Sequence, residues 1–182
     1  METLYYSKTQ SPLGELYVGV SERGMVLLDL HRGEFLHKPG FNGRANGKVQ
    51  WMESDEKTAP YLRELKEYFA GRRKEFSFPL DLRGTPFQKR CWQALLKIPY
   101  GKTRSYAEIA RAVGSPRSFR AVGQANHQNP IAIVVPCHRV ITSDGKLGGY
   151  GGGLAMKEKL LRLERAALNS APSLFSTAPN VD

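Results

Sequence analysis

Hydrophobic and polar residues change rhythm about half-way along the chain. Near the start, "TLYYSKT", "GELYVGV" and "MVLLDLH" alternate imperfectly with a period of two, as half-buried strands do, and "ERG" between the last two predicts a hairpin. Residues 32–50, rich in Gly, Asn and basic side chains, predict a loop. In "APYLRELKEYFAG" Tyr61, Leu62, Leu65, Tyr68 and Phe69 share one helical face, so a helix is expected over 59–69, stopped by Gly71. "EFSFPLDL" alternates at Phe76, Phe78, Leu80 and Leu82 and predicts a further strand, which Pro79 moves to a sheet edge. Together these elements make an α/β domain over 1–84.

From Thr85 the period becomes helical. "TPFQ" is a capping box, with Thr85 as cap, Pro86 at the first helical position and Gln88 reaching back. Phe87, Cys91, Leu95 and Ile98 follow at helical spacing until Pro99, and Cys91 on that apolar stripe is read as packing. "SYAE" at 105–108 is a second capping box, opening a short helix through Val113 that Gly114 stops. Ser115-Pro116 starts another helix, "PRSFRAVGQANH", and the pair reads as a helix-turn-helix. In the second helix Arg117 and Arg120 precede the small residues Ala121, Gly123 and Ala125. Small side chains let a helix lie close either to a neighbouring helix or to a nucleic-acid groove. After Asn129-Pro130 the mostly β-branched run Ile131–Val135 predicts a buried strand, and "PCHRV" follows directly. "SDGK" at 143–146 predicts a hairpin turn, "GGYGGG" a close-approach loop, and a last helix is expected from Leu154 to Leu168. The second domain thus covers 85–169, and 170–182 is expected to be a disordered tail.

Composition sharpens this picture. The 182 residues hold 41% hydrophobic and 10% aromatic residues, enough for a packed core. Lys and Arg number 27 against 17 Asp and Glu, a net charge of +10, and much of the excess lies between Lys89 and Arg120. Such a surface favours a polyanion, with nucleic acid ahead of mere solubility. The N-terminal stretch lacks the pattern of a signal peptide, and no apolar run approaches the roughly 20 residues that span a bilayer. The two cysteines are therefore expected to be reduced thiols in the cytoplasm, with no membrane association. Their spacing offers no zinc motif, so no metal is expected.

The sequence "IAIVVPCHRVI" concentrates the chemistry. A free thiol with a pKa near 8.5 is only a few per cent thiolate at neutral pH and needs a base or a positive field. His138 and Arg139 are the nearest candidates, with His138 reaching Cys137 more easily through a water or a turn than directly. On the last helix Glu164 shares its face with Leu160, Leu161, Ala167 and Leu168, so its carboxylate is desolvated and wants a partner. That partner is either a histidine, completing a Cys–His–Glu relay, or a cation such as Arg139 or Lys157.

"NPIAIVVPCHRVI", with "RAVGQAN" before it and "GGYGGGLAMKEKLLRLE" after it, resembles the active-site region of the O6-alkylguanine-DNA alkyltransferases. The resemblance covers about residues 85–168 and, more loosely, the whole chain. It implies a ribonuclease H-like α/β domain followed by a mainly α, winged-helix-like domain carrying the helix-turn-helix. It implies irreversible repair of O6-methylguanine, and less efficiently O4-methylthymine, by transfer of the alkyl group to the protein's own cysteine, without a cofactor. Double-stranded DNA would be bound through its minor groove by a monomer, with cooperativity on DNA left open.

The implied roles follow residue by residue. Cys137 is the acceptor, His138 takes its proton through a bridging water, and Glu164 orients His138. Asn129 braces the active-site turn. Tyr106 donates to the flipped guanine, and Arg120 fills the space the base leaves. Ala121 and Gly123 let the helix into the groove. The carbonyls of Cys137 and Val140 accept from the guanine's exocyclic amine, Tyr150 and Gly151 belong to the loop over the base, and Lys157 lies near the site. Some relatives carry Ser at the position of Gly151 and Pro at that of Ala132. The zinc-ligand cysteines and the extra zinc module of certain relatives are absent, and the nucleophile that non-catalytic relatives replace with Trp is Cys137 here.

Overall fold

The structure, a computed structural model, describes residues 1–30 and 49–169. The expected tail and all but the last two residues of the expected loop over 32–50 lie outside the described residues. Four strands, β1 (Glu2–Ser11), β2 (Gly14–Ser21), β3 (Gly24–Asp29) and β4 (Val49–Glu53), form one sheet in the order β3-β2-β1-β4. β2 pairs antiparallel with both β1 and β3, so the hairpin read around "ERG" is present. β4, hidden at the end of a polar stretch, pairs parallel with β1.

Alternation along β2 sorts its side chains. Leu16, Val18 and Val20 face the main core, while Tyr17 turns to the other face, where Leu4, Val26 and Leu27 pack under Trp51. Helix α1 (Asp55–Phe69) lies on the core face. It starts earlier than the apolar period predicts, because Ser54 caps it and Asp55 and Glu56 complement its N-terminal dipole. That polar first turn carries no periodicity to read.

Two expected strands are absent. Residues 76–82 keep the alternation but touch β3 only through one bridge at Leu80, with Met25 N donating to Pro79 O and Asp81 N to Met25 O. Pro79 has no donor, and the Ser77 N–H is taken at 2.8 Å by the Glu64 side chain, so no ladder grows. Phe76 and Phe78 instead join Tyr61 and Tyr68 in an aromatic cluster. Ile131–Val135 is buried, apart from the half-buried Ala132, but it is a turn. Val134 N donates to Ala132 O and Val135 N to Ile131 O, and Ile133 takes φ 73°. A β-branched residue in the left-handed region is strained, and such strain persists only where packing over-determines it. Its β-branched composition reflects burial, not extension.

The second half is helical: α2 (Pro86–Leu96), α3 (Tyr106–Ala112), α4 (Phe119–His127) and α5 (Leu154–Asn169). Both predicted capping boxes are formed, at Thr85/Gln88 and Ser105/Glu108. α4 begins at Phe119 and not at Pro116, since Ser115–Ser118 form a turn and no side chain caps the helix. Between α4 and α5, Cys137–Arg139 make one 3₁₀ turn, and a short strand β6 (Val140–Ile141) pairs parallel with β5 (Arg104–Ser105). "SDGK" is a turn closed by Thr142 N to Lys146 O, without the antiparallel strands of a hairpin. One buried cluster, from Leu16 and Met25 to Trp92, Val135 and Leu160, joins the sheet half to the helical half. No helix among the described residues is long and apolar enough to cross a membrane.

Candidate active site

The 3₁₀ turn sets three consecutive side chains in different directions. Cys137, 6% exposed, reaches the floor of a cavity of about 590 Å³. His138 and Arg139 point into the protein toward α5. Asn129 ties the turn together: its Oδ1 accepts from Ile131 N at 3.0 Å, and its Nδ2 donates to Val135 O at 2.8 Å and to Cys137 Sγ at 3.2 Å.

Glu164 is fully buried and serves both partners that its apolar face suggested. His138 Nε2 lies 2.7 Å from Oε1, and Arg139 donates from Nη2 to Oε1 at 2.9 Å and from Nε to Oε2 at 3.0 Å. Tyr68 Oη donates to Oε1 and the Gly101 N–H to Oε2. Gly101 sits at φ 71°, which turns that N–H inward without a Cβ penalty. Burial alone would raise the Glu164 pKa, but the hydrogen bonds from His138 and Arg139 and the charge of Arg139 hold it down to about 2. Burial pushes His138 below its ordinary value against the pull of Glu164, so the imidazole is neutral. An ionised carboxylate accepts, so Nε2 carries the proton. Nδ1 keeps its lone pair, and it is buried with no protein partner.

Burial also pushes the Cys137 thiol up, opposed by the Asn129 donor and the charge of Lys157. Lys157 is fully buried on α5; its Nζ donates to Val140 O at 2.6 Å, to Gly149 O at 3.3 Å and to Leu147 O. Burial brings its pKa down to about 8. The site therefore holds a protonated thiol, a neutral base and a cation near the sulfur, a set suited to releasing the thiol proton as an electrophile arrives.

The cavity above Cys137 is walled by Tyr106, Gly123, Tyr150 and Gly151. Burial raises the Tyr106 pKa, so its hydroxyl keeps its proton; it donates to Gly149 O at 3.3 Å. Arg120 and Ala121 stand exposed on α4 outside this lining. A Cβ at Gly123 would meet only the Tyr106 ring, at 3.8 Å, whereas Val122 and Ala125 are the residues of α4 that are buried. The small residues of α4 therefore divide: Ala121 faces solvent and Gly123 the cavity, while Ala125 is buried and serves helix packing. Among the described residues no cluster of His, Cys, Asp and Glu could hold a metal ion.

Residues 86–166 match the family model for 6-O-methylguanine DNA methyltransferase, DNA binding domain, and residues 4–82 match that for its ribonuclease-like domain. The chain belongs to the 6-O-methylguanine DNA methyltransferase family. A methylated-DNA–protein-cysteine methyltransferase of Mycolicibacterium paratuberculosis is 48% identical over 170 residues, 93% of this chain and 98% of that protein. The crystal structure of the Mycobacterium tuberculosis O6-methylguanine methyltransferase superposes with a TM-score of 0.80 at 42% identity, covering 94% of this chain and 97% of that one. The Mycobacterium tuberculosis OGT in complex with DNA gives 0.78 at 42% identity, over 91% and 94%. The order read from the sequence, a sheet-containing half and then a helical half, is the architecture of this methyltransferase family.

Sequence reasoning left several residues of this methyltransferase site unassigned. Tyr68 was visible only as part of an apolar face, and its bond to Glu164 spans 96 residues. Phe119, Asn126 and His127 line the cavity with Gly123. Counting i, i+4, i+7 and i+8 from Phe119 along α4 would have found them.

Proposed function

We propose that the protein is a cytoplasmic monomer that repairs O6-methylguanine in double-stranded DNA, and less efficiently O4-methylthymine, by moving the alkyl group to Cys137 Sγ in one irreversible turnover. The observation that carries this reading is a cavity ending on Cys137, beside an imidazole whose Nε2 is fixed by Glu164 and whose Nδ1 is free. The thiol proton passes through a bridging water to His138 Nδ1. Sγ attacks the alkyl carbon, the S–C bond forms, and the C–O6 bond breaks with its electron pair left on the guanine. Tyr106 turns its O–H from Gly149 O to the base as that charge develops, an electrostatic stabilisation from a donor that already borders the cavity.

A base inside a duplex cannot reach a buried sulfur, so the lesion is swung out at a cost of a few kcal/mol. Arg120, exposed on α4, fills the vacated stack, while Ala121 and Gly123 let the helix approach the minor groove. The carbonyls of Cys137 and Val140 accept from the exocyclic amine, Val140 O beside the hydrogen bond it already accepts from Lys157 Nζ. Tyr150 and Gly151 cover the base. Phosphate contacts through the basic excess carry no sequence information, which suits a search for lesions anywhere.

The test is incubation with duplex DNA carrying O6-methylguanine radiolabelled in the methyl group, followed by peptide mapping. One label per protein on Cys137 is expected. Label on Cys91, or many turnovers per molecule, overturns the assignment.

A further inference from the structure

Phe119 opens α4 and is 48% exposed, although a phenyl ring gains by burial. A single exposed aromatic is ordinary on a protein surface; its position here is not. Its ring lines the mouth of the Cys137 cavity, and the Arg120 guanidinium lies 6.0 Å from its centroid, within cation–π reach. Arg111 near the end of α3 and Arg117 in the turn before α4 are both exposed. An apolar ring framed by cations matches a nucleic-acid duplex, which offers base faces to the ring and phosphates to the guanidinium groups.

We propose that Phe119 is a positioning residue for base extrusion, an aromatic wedge that stacks on the base pair beside the lesion while Arg120 enters the emptied position. The inference rests on the function proposed above and adds a second side chain to the opening of the duplex. Proteins that kink DNA from the minor groove insert apolar side chains between base steps in this way. The ring also holds the guanidinium near the cavity mouth before DNA arrives, so less side-chain freedom is lost on binding.

Phe119 has no part in the buried core, so substitutions there leave the fold intact. Single-turnover transfer to Cys137 is measured with an O6-methylguanine duplex and with O6-benzylguanine supplied as the free base, for which no stack is opened. In Phe119→Ala the rate on the duplex is expected to fall about tenfold further than the rate on the free base. Phe119→Trp, which keeps an aromatic face, is expected to retain the wild-type ratio of the two rates. Equal losses on both substrates, an unchanged duplex rate in Phe119→Ala, or a loss in Phe119→Trp as deep as in Phe119→Ala overturns the wedge. Absence of transfer by the wild-type protein from the O6-methylguanine duplex overturns the proposed function instead.

Discussion

Cys91 on α2 and Cys137 at the 3₁₀ turn are both buried, at 0% and 6% exposure, and burial pushes both thiols above their ordinary pKa. Their surroundings differ. Cys91 lies in the apolar cluster with Trp92 and Leu95, where burial outweighs the charge of Arg90. Cys137 touches an amide donor, feels a buried lysine, precedes a fixed imidazole and opens on a cavity. Reactivity in this fold is thus decided by which polar groups share the burial, not by how deep the sulfur lies. The largest contrast follows directly. Cys137→Ala is expected to abolish transfer and leave the melting temperature near that of the wild type. Cys91→Ser is expected to keep transfer and cost about 2 kcal/mol, because its hydroxyl meets no partner in the apolar cluster. Labelled-DNA assays and urea melts of the two variants check both halves.

Glu164→Gln probes the support behind the reactive cysteine. A neutral amide cannot hold His138 in the Nε2–H form as firmly and leaves Arg139 buried without a counter-charge. Transfer is expected to slow by about a hundredfold with DNA affinity within about twofold, and folding to weaken by about 3 kcal/mol. The acid limb of stability gives an independent readout. Glu164 has its folded pKa depressed to about 2 from 4.5, so its contribution is present above about 4.5 and is lost as the pH falls toward 2. Glu164→Gln has no such loss to undergo, and the gap between the two proteins is expected to close across that interval in urea melts. A constant gap would remove the ionised carboxylate from the account.

The same contrast explains what could be read from the sequence. Both capping boxes were legible because a cap is a local matter of four residues. The contact of His138 with Glu164 was legible for a similar reason: Glu164 betrays itself as the polar member of an apolar face. Ile131–Val135 misled, since β-branched runs record burial and leave the conformation open between a strand and the Asn129-braced turn found here. β4 was missed because three of its five residues are exposed and it gains its ladder from β1, far away in sequence. Tyr68 was read as packing, and nothing near it in the chain announces that its hydroxyl ends on Glu164.

Lys157 sharpens the comparison from the alkaline side. Its folded pKa is lowered to about 8 from 10.5, the reverse of a lysine with a carboxylate partner. Below about 8 the group is charged in both states and the folded protein bears the cost of burying it. Between about 8 and 10.5 the unfolded chain holds more protons, so stability rises with pH. Lys157→Met removes this rise, and the stability difference between wild type and variant is expected to shift in favour of the wild type over that window in denaturant melts. A difference that stays constant from pH 7.5 to 10 would mean that Nζ keeps its proton when buried, with no lowered pKa.

The smallest effect tests the two meanings of a small residue. Ala125 is buried, and its carbonyl accepts from Trp92 Nε1 at 2.9 Å, so bulk there would collide with α2. Gly123, two residues earlier, borders the cavity and leaves room for a methyl in ordinary contact with Tyr106. Gly123→Ala is therefore expected to stabilise the protein by up to about 1 kcal/mol, because alanine loses less backbone freedom in a helix. Transfer from duplex DNA is expected to slow at the same time, by about threefold, since the added methyl stands where the nucleotide enters. Opposite signs in stability and repair place Gly123 on the DNA-facing side of α4. Destabilisation by the added methyl would instead return it to the packing role that Ala125 fills.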